Sequence, residues 1–149
     1  MDESDLDEIA TEWLTGFPRT RYISEWRLLV WEPRGILDGT HVSQLLRWLE
    51  LVEPRMGTFN RFIDLSGLSE VRLRFDDVVE IAARRREKYS GRPVKTVMFA
   101  DSPVAFGVAR MYEQLMSDMP IEVHVVAERN ASAFILGVPN SAIVRVSSG

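Results

Sequence analysis

His41 and His124 are the only imidazoles in a chain of 149 residues that has no cysteine. General-base chemistry needs such a group within reach of a nucleophile and oriented by a third side chain. His41 falls in the first turn of a helical pattern, beside its apolar stripe. His124 alternates with Val123 and Val125 along a strand-like run and so faces away from them. Neither spacing builds a catalytic pair. Zinc would need a third ligand and a spacing such as His-Glu-x-x-His, which does not occur, and thiolate sites and disulfides are excluded outright. No Gly-x-Gly-x-x-Gly run or phosphate-cradling lysine loop is present either. The expectation is a protein that is not an enzyme and carries no cofactor.

The densest basic run is Arg84, Arg85, Arg86 and Lys88, with Arg92 and Lys95 behind it. Cations near a helix C-terminus interact with the helix dipole, each by about 0.3 to 1 kcal/mol when exposed. Nucleic-acid binding wants a basic domain, whereas the isoelectric point is 5.3. An anionic partner surface fits the run better than nucleic acid. This chain's own opening is one such surface. Residues 2 to 12 hold six of the 22 acidic residues and no basic one, which leaves 16 acidic against 18 basic residues elsewhere.

A second candidate surface is apolar. In the helical run from Pro103, the spacing makes Val104, Val108, Met111, Leu115 and Met119 the buried stripe, which leaves Phe106 outside it and Met116 on its flank. Trp48 lies at the margin of the first helix stripe and Leu51 beyond it. Together these side chains suit a protein partner, an amphipathic ligand or a two-fold dimer contact. The competing cover is the N-terminal arm, through Trp13 or Phe17. Asp101-Ser102-Pro103 also sets a helix start just past a strand end, where open α/β sheets bind ligands, although Asp101 would repel an anion there.

The elements that position these residues alternate along the chain. Arg21 to Glu32 is rich in aromatic and β-branched residues and reads as two strands or one bent strand, stopped by Pro33-Arg34-Gly35. Asp38 or Thr40 caps a helix whose Val42, Leu45, Leu46, Leu49 and Val52 share one face, ending before Pro54. A strand over Phe59 to Leu65 closes at Ser66-Gly67. A helix marked by Phe75, Val78, Val79, Ala82 and Tyr89 then runs to Gly91 and Pro93. Strand, helix, strand and short helix follow over Val94–Ala100, Pro103–Met116, Ile121–Ala127 and Asn130–Leu136, with Ser102 as N-cap and Pro103 at the first helical position.

Helical connections favour parallel pairing, and the close first pair favours an antiparallel or bent edge, so a mixed, mostly parallel α/β sheet flanked by helices is expected. The length and the 46% hydrophobic share suit one core. We expect an acidic arm over 1–19, either a short helix or a solvated strand of chain, one α/β domain over 20–138, and a loose or edge-paired tail over 139–149. No stretch approaches the roughly 18 apolar residues of a membrane span, and the opening is acidic rather than leader-like. The expectation is a cytoplasmic protein without stable membrane insertion.

Ile63-Asp64-Leu65-Ser66-Gly67 at a strand end and the run from Phe106 to Tyr112, set in this order of elements over residues 20–138, resemble the SpoIIAA-like family of small bacterial STAS-related domains. The resemblance implies a STAS-like fold and a regulatory role. Better understood STAS relatives are anti-sigma-factor antagonists and domains that bind protein partners, and related sheets are linked to lipid or nucleotide binding. In the antagonists a serine at the helix start after this strand is phosphorylated. Here that stretch reads Glu70-Val71-Arg72-Leu73-Arg74-Phe75, and Leu73 and Arg74 have no hydroxyl. The switch is not carried over, and Ser66 and Ser69 read as turn or capping serines. The expected function is a non-enzymatic regulatory or adaptor domain that binds a protein partner. The alternative is a carrier or sensor of a small amphipathic or lipid-like ligand.

Overall fold

The computed structural model describes residues 15–144. The acidic arm through residue 14, where a short helix is one expectation, and the end of the tail from residue 145 lie outside them. Within them, β1 (Thr20–Ile23) and β2 (Leu28–Trp31) pair antiparallel. A single 3₁₀ turn, Ser24–Trp26, and a left-handed Arg27 at φ 47° reverse the chain between them. The first segment is therefore two strands rather than one bent strand.

β3 (Gly35–Asp38) leads directly into α1 (Gly39–Met56), where Asp38 accepts from the His41 N–H at 3.0 Å as the N-cap. The helix does not end before Pro54; it continues through Pro54 to Met56. Proline removes one N–H from the ladder, but this is the last turn, where the Arg55 side chain also donates to the Leu51 carbonyl at 2.7 Å. β4 (Asn60–Asp64), a 3₁₀ turn over Leu65–Gly67, β5 (Leu68–Arg72) and α2 (Phe75–Lys88) follow. The chain ends in β6 (Val94–Phe99), α3 (Pro103–Leu115), β7 (Ile121–Val126) and α4 (Arg129–Leu136).

The main sheet has the order β1-β2-β4-β6-β7, with every pair parallel except the first. The mixed, mostly parallel sheet is as expected. A second parallel pair, β3 with β5, was not anticipated. Both segments leave the main sheet at the same end, after the parallel neighbours β2 and β4, so they run on side by side.

Alternation along the strands divides the interior. Leu29, Trp31, Ile63 and Met98 face a core built with α1 and α3, and Val94, Ile121 and Val123 continue it toward Ala82 of α2 and Met116. Leu28, Val30, Phe62, Val97 and Phe99 point the other way, onto Ala133 of α4. Ile143 is fully buried in this second layer, and Arg21 and Arg129 donate to the carbonyls of Ala142, Val144 and Ile143. The tail is thus part of the fold as far as Val144, which corrects the reading of a loose or edge-paired extension from residue 139.

Candidate functional site: a cavity walled by two buried arginines

Between the main sheet and α1, α2 and α3 lies a cavity of about 110 Å³. Its lining is almost wholly apolar, with Trp31, Leu49, Ile63, Met98 and Ala109 among the side chains that enclose it. Ala105 and Ala109 are the buried residues of α3. Their small side chains leave room that a leucine would fill.

One part of this wall is charged. Arg61 shares a face of β4 with Ile63, two residues on, and points with it toward the helices. Glu53 is placed by the α1 stripe, four residues after Leu49, and Arg85 by the α2 stripe, after Val78 and Ala82. All three side chains are under 10% exposed. Arg85 holds both carboxylate oxygens of Glu53, at 2.9 and 2.8 Å, and Arg61 Nη2 reaches the same Oε2 at 2.8 Å. Arg61 Nε donates to the Phe59 carbonyl at 2.9 Å, and its guanidinium lies 4.4 Å from the Phe59 ring and 5.6 Å from that of Tyr89.

Two guanidiniums share one carboxylate, so the three side chains carry a net charge of +1. The two cations are not equally compensated. Burial lowers the Arg61 pKa, and nearby Arg85 adds to the effect against the pull of Glu53. Burial is the largest influence on Arg85 too and works against its charge, but the hydrogen bonds to Glu53, the Glu53 charge and Tyr112 together raise the pKa. Tyr112 hydrogen-bonds Arg85, and burial raises its phenol pKa, so the tyrosine is neutral. Arg61 also lines a polar surface cleft of about 380 Å³, together with Glu53, Lys88, Tyr89 and Arg92. The charged wall therefore stands between the cleft and the apolar cavity.

No protein-family model matches this chain. A search of curated proteins finds no match either.

The residues singled out from the sequence lie elsewhere, and several are not where the spacing put them. Met116 is 1% exposed and sits in the core, not on a flank. Phe106 packs against the core cluster of α1 and the sheet, while Val104, assigned to the buried stripe, is 61% exposed. The α3 stripe is rotated from the expected one because the helix packs through Ala105 and Ala109, which a pattern of large apolar residues does not weigh. On α2, Phe75 and Val79 are likewise exposed, and Val78, Ala82 and Arg85 are buried. Trp48 is half-buried under Phe17, and Leu51 is exposed. Trp48, Leu51, Phe106 and Met116 therefore do not form one exposed surface.

Asp101 and Ser102 are exposed, and Ser102 caps α3 by accepting the Ala105 N–H at 3.2 Å. The basic run is not a free patch. Arg84 pairs with Glu50, Arg85 with Glu53, Arg86 with Asp118 and Lys88 with Glu87. His41 is exposed beside Asp38, and His124 meets Glu122 at 2.8 Å. Among the described residues no cluster of three or more His, Asp or Glu side chains suits a metal ion, and no helix is long and apolar enough to cross a membrane.

Apolar periodicity does not register the Arg61–Glu53–Arg85 cluster, because its members are charged. Its signal was their spacing: Glu53 lies on the stripe of Leu46 and Leu49, Arg85 on that of Val78 and Ala82, and Arg61 between inward-facing Phe59 and Ile63.

Proposed function

We propose that this chain is a non-enzymatic binding domain that carries or senses a small amphipathic ligand held between its sheet and helices. One observation carries the reading: an apolar cavity of about 110 Å³ adjoins buried polar groups that can orient a ligand. Largely preformed apolar pockets with a few convergent polar groups are the usual form of small-molecule sites. The loss of a contiguous exposed patch weakens the alternative of a protein partner or a dimer docking on Trp48 and Phe106. The resemblance to SpoIIAA-like domains supports a regulatory role over catalysis, and through their lipid-linked relatives it accommodates a ligand.

The test is occupancy. Native mass spectrometry of the purified protein, with and without added butanol, should show a one-to-one complex. Ala109→Leu, which fills the cavity, should abolish the complex while the protein stays folded by circular dichroism. Undiminished binding by a folded Ala109→Leu protein would overturn the reading.

A further inference from the structure

Resting on the reading of the cavity as a ligand site, we infer that its ligand is an organic monocarboxylate with a short apolar body, its head group on Arg61 and its tail in the cavity. Three observations converge on that chemistry. Arg61, Arg85 and Glu53 sum to one unbalanced positive charge in a wall less than a tenth exposed, and a buried charge is costly unless paired. A monoanion cancels that charge. A phosphate dianion would reverse it.

The geometry points to Arg61 as the receiving group. Glu53 gives both oxygens to Arg85 and only a shared one to Arg61, whose remaining bond is to the Phe59 carbonyl. Arg61 is also the guanidinium that lines both spaces, the apolar cavity and the polar cleft. A carboxylate arriving through the cleft meets Arg61 at the boundary, and its apolar part then lies among Leu49, Ile63 and Met98. Size sets the tail. An apolar cavity of about 150 Å³ holds the six carbons of a benzene ring, so about 110 Å³ accommodates a tail of about four carbons.

The experiment is a calorimetric titration of the full chain with pentanoate, butanol and butyl phosphate at neutral pH and low salt. Pentanoate should bind at least tenfold more tightly than either of the others. Arg61→Met leaves the neutral Glu53–Arg85 pair and should lose that preference, with Arg61→Lys restoring part of it. The comparison of the three probes on the unaltered protein stands even if Arg61→Met fails to fold. Butanol binding as well as pentanoate would overturn the carboxylate assignment and leave the cavity reading intact. Butyl phosphate matching pentanoate would overturn the choice of a monoanion, and a pentanoate preference surviving in Arg61→Met would overturn the role of Arg61. Binding of none of the probes would overturn the cavity reading itself, and this inference with it.

Discussion

Phe17 lies over Trp48, their ring centroids 5.5 Å apart and their planes tilted by 33°. Phe17 also meets Trp31 edge-on at 6.2 Å. The residues just before β1 thus cover a tryptophan of α1 that the sequence offered to a partner. The cover is intramolecular. Phe17→Ala should destabilise the fold by about 1 to 2 kcal/mol, the scale of a half-buried aromatic with its ring contacts. Urea unfolding measures the loss, and a red shift of tryptophan emission should accompany it. An unchanged spectrum and midpoint would show that Phe17 leaves Trp48 open.

The Arg61–Glu53–Arg85 cluster makes an asymmetric forecast. Removing the carboxylate by Glu53→Gln leaves two buried guanidiniums facing each other, and breaking a buried pair in this way costs about 3 to 5 kcal/mol. Arg61→Met instead leaves a neutral pair and a side chain suited to the apolar wall, so the loss should be much smaller. Denaturation of both variants measures the difference. Equal losses would mean that the cluster's net charge is not what matters.

The order of elements could be read from apolar spacing because the core is built from periodic segments such as Val42 to Val52, where burial and period agree. Reading failed where burial did not follow size. On α3 the contact is made by Ala105 and Ala109, so the stripe rotated and Val104 and Phe106 exchanged roles. The β3–β5 pair has too few apolar residues to alternate, with only Ile36 and Leu37 on one strand and Leu68 and Val71 on the other. It exists because the strands before it are neighbours, a tertiary cause that no local pattern carries. The charged wall was hidden for the opposite reason: its residues obey the core spacing with the wrong polarity.

Asp64, at the end of β4, is 1% exposed and accepts from the Ser66 hydroxyl at 2.6 Å, the Ser66 N–H at 2.9 Å and Arg129 at 2.9 Å. Burial opposes its charge, but these bonds together hold its pKa below the ordinary value. A depressed carboxylate stabilises the fold above its unfolded pKa of about 3.9, and that contribution is lost as pH falls through the lower folded value. Asp64→Asn should therefore cost about 1 to 3 kcal/mol at pH 7, and the gap from the native protein should narrow below pH 4. Urea midpoints across pH 2.5 to 7 test this. A gap that stays constant over the acid range would show that Asp64 titrates alike in both states.

Arg74 occupies the N-cap of α2 with extended backbone, φ −87° and ψ 166°, and its own N–H is accepted by Asp77 Oδ2 at 2.7 Å. This is half of a reciprocal cap. The other half, a short side-chain oxygen accepting an N–H of the first turn, is what an arginine cannot supply. Arg74→Ser would complete it with little disturbance, since Arg74 is exposed and Asp77 is already in place. The expected gain is about 0.5 to 1 kcal/mol, read as a higher urea midpoint at unchanged slope. Asp76 and Asp77 stand beside this position and would repel a further carboxylate. Arg74→Ser should therefore stabilise α2, while Arg74→Glu should not. If Arg74→Ser lowers the midpoint instead, Arg74 contributes contacts beyond the cap and the backbone alone does not set this helix start.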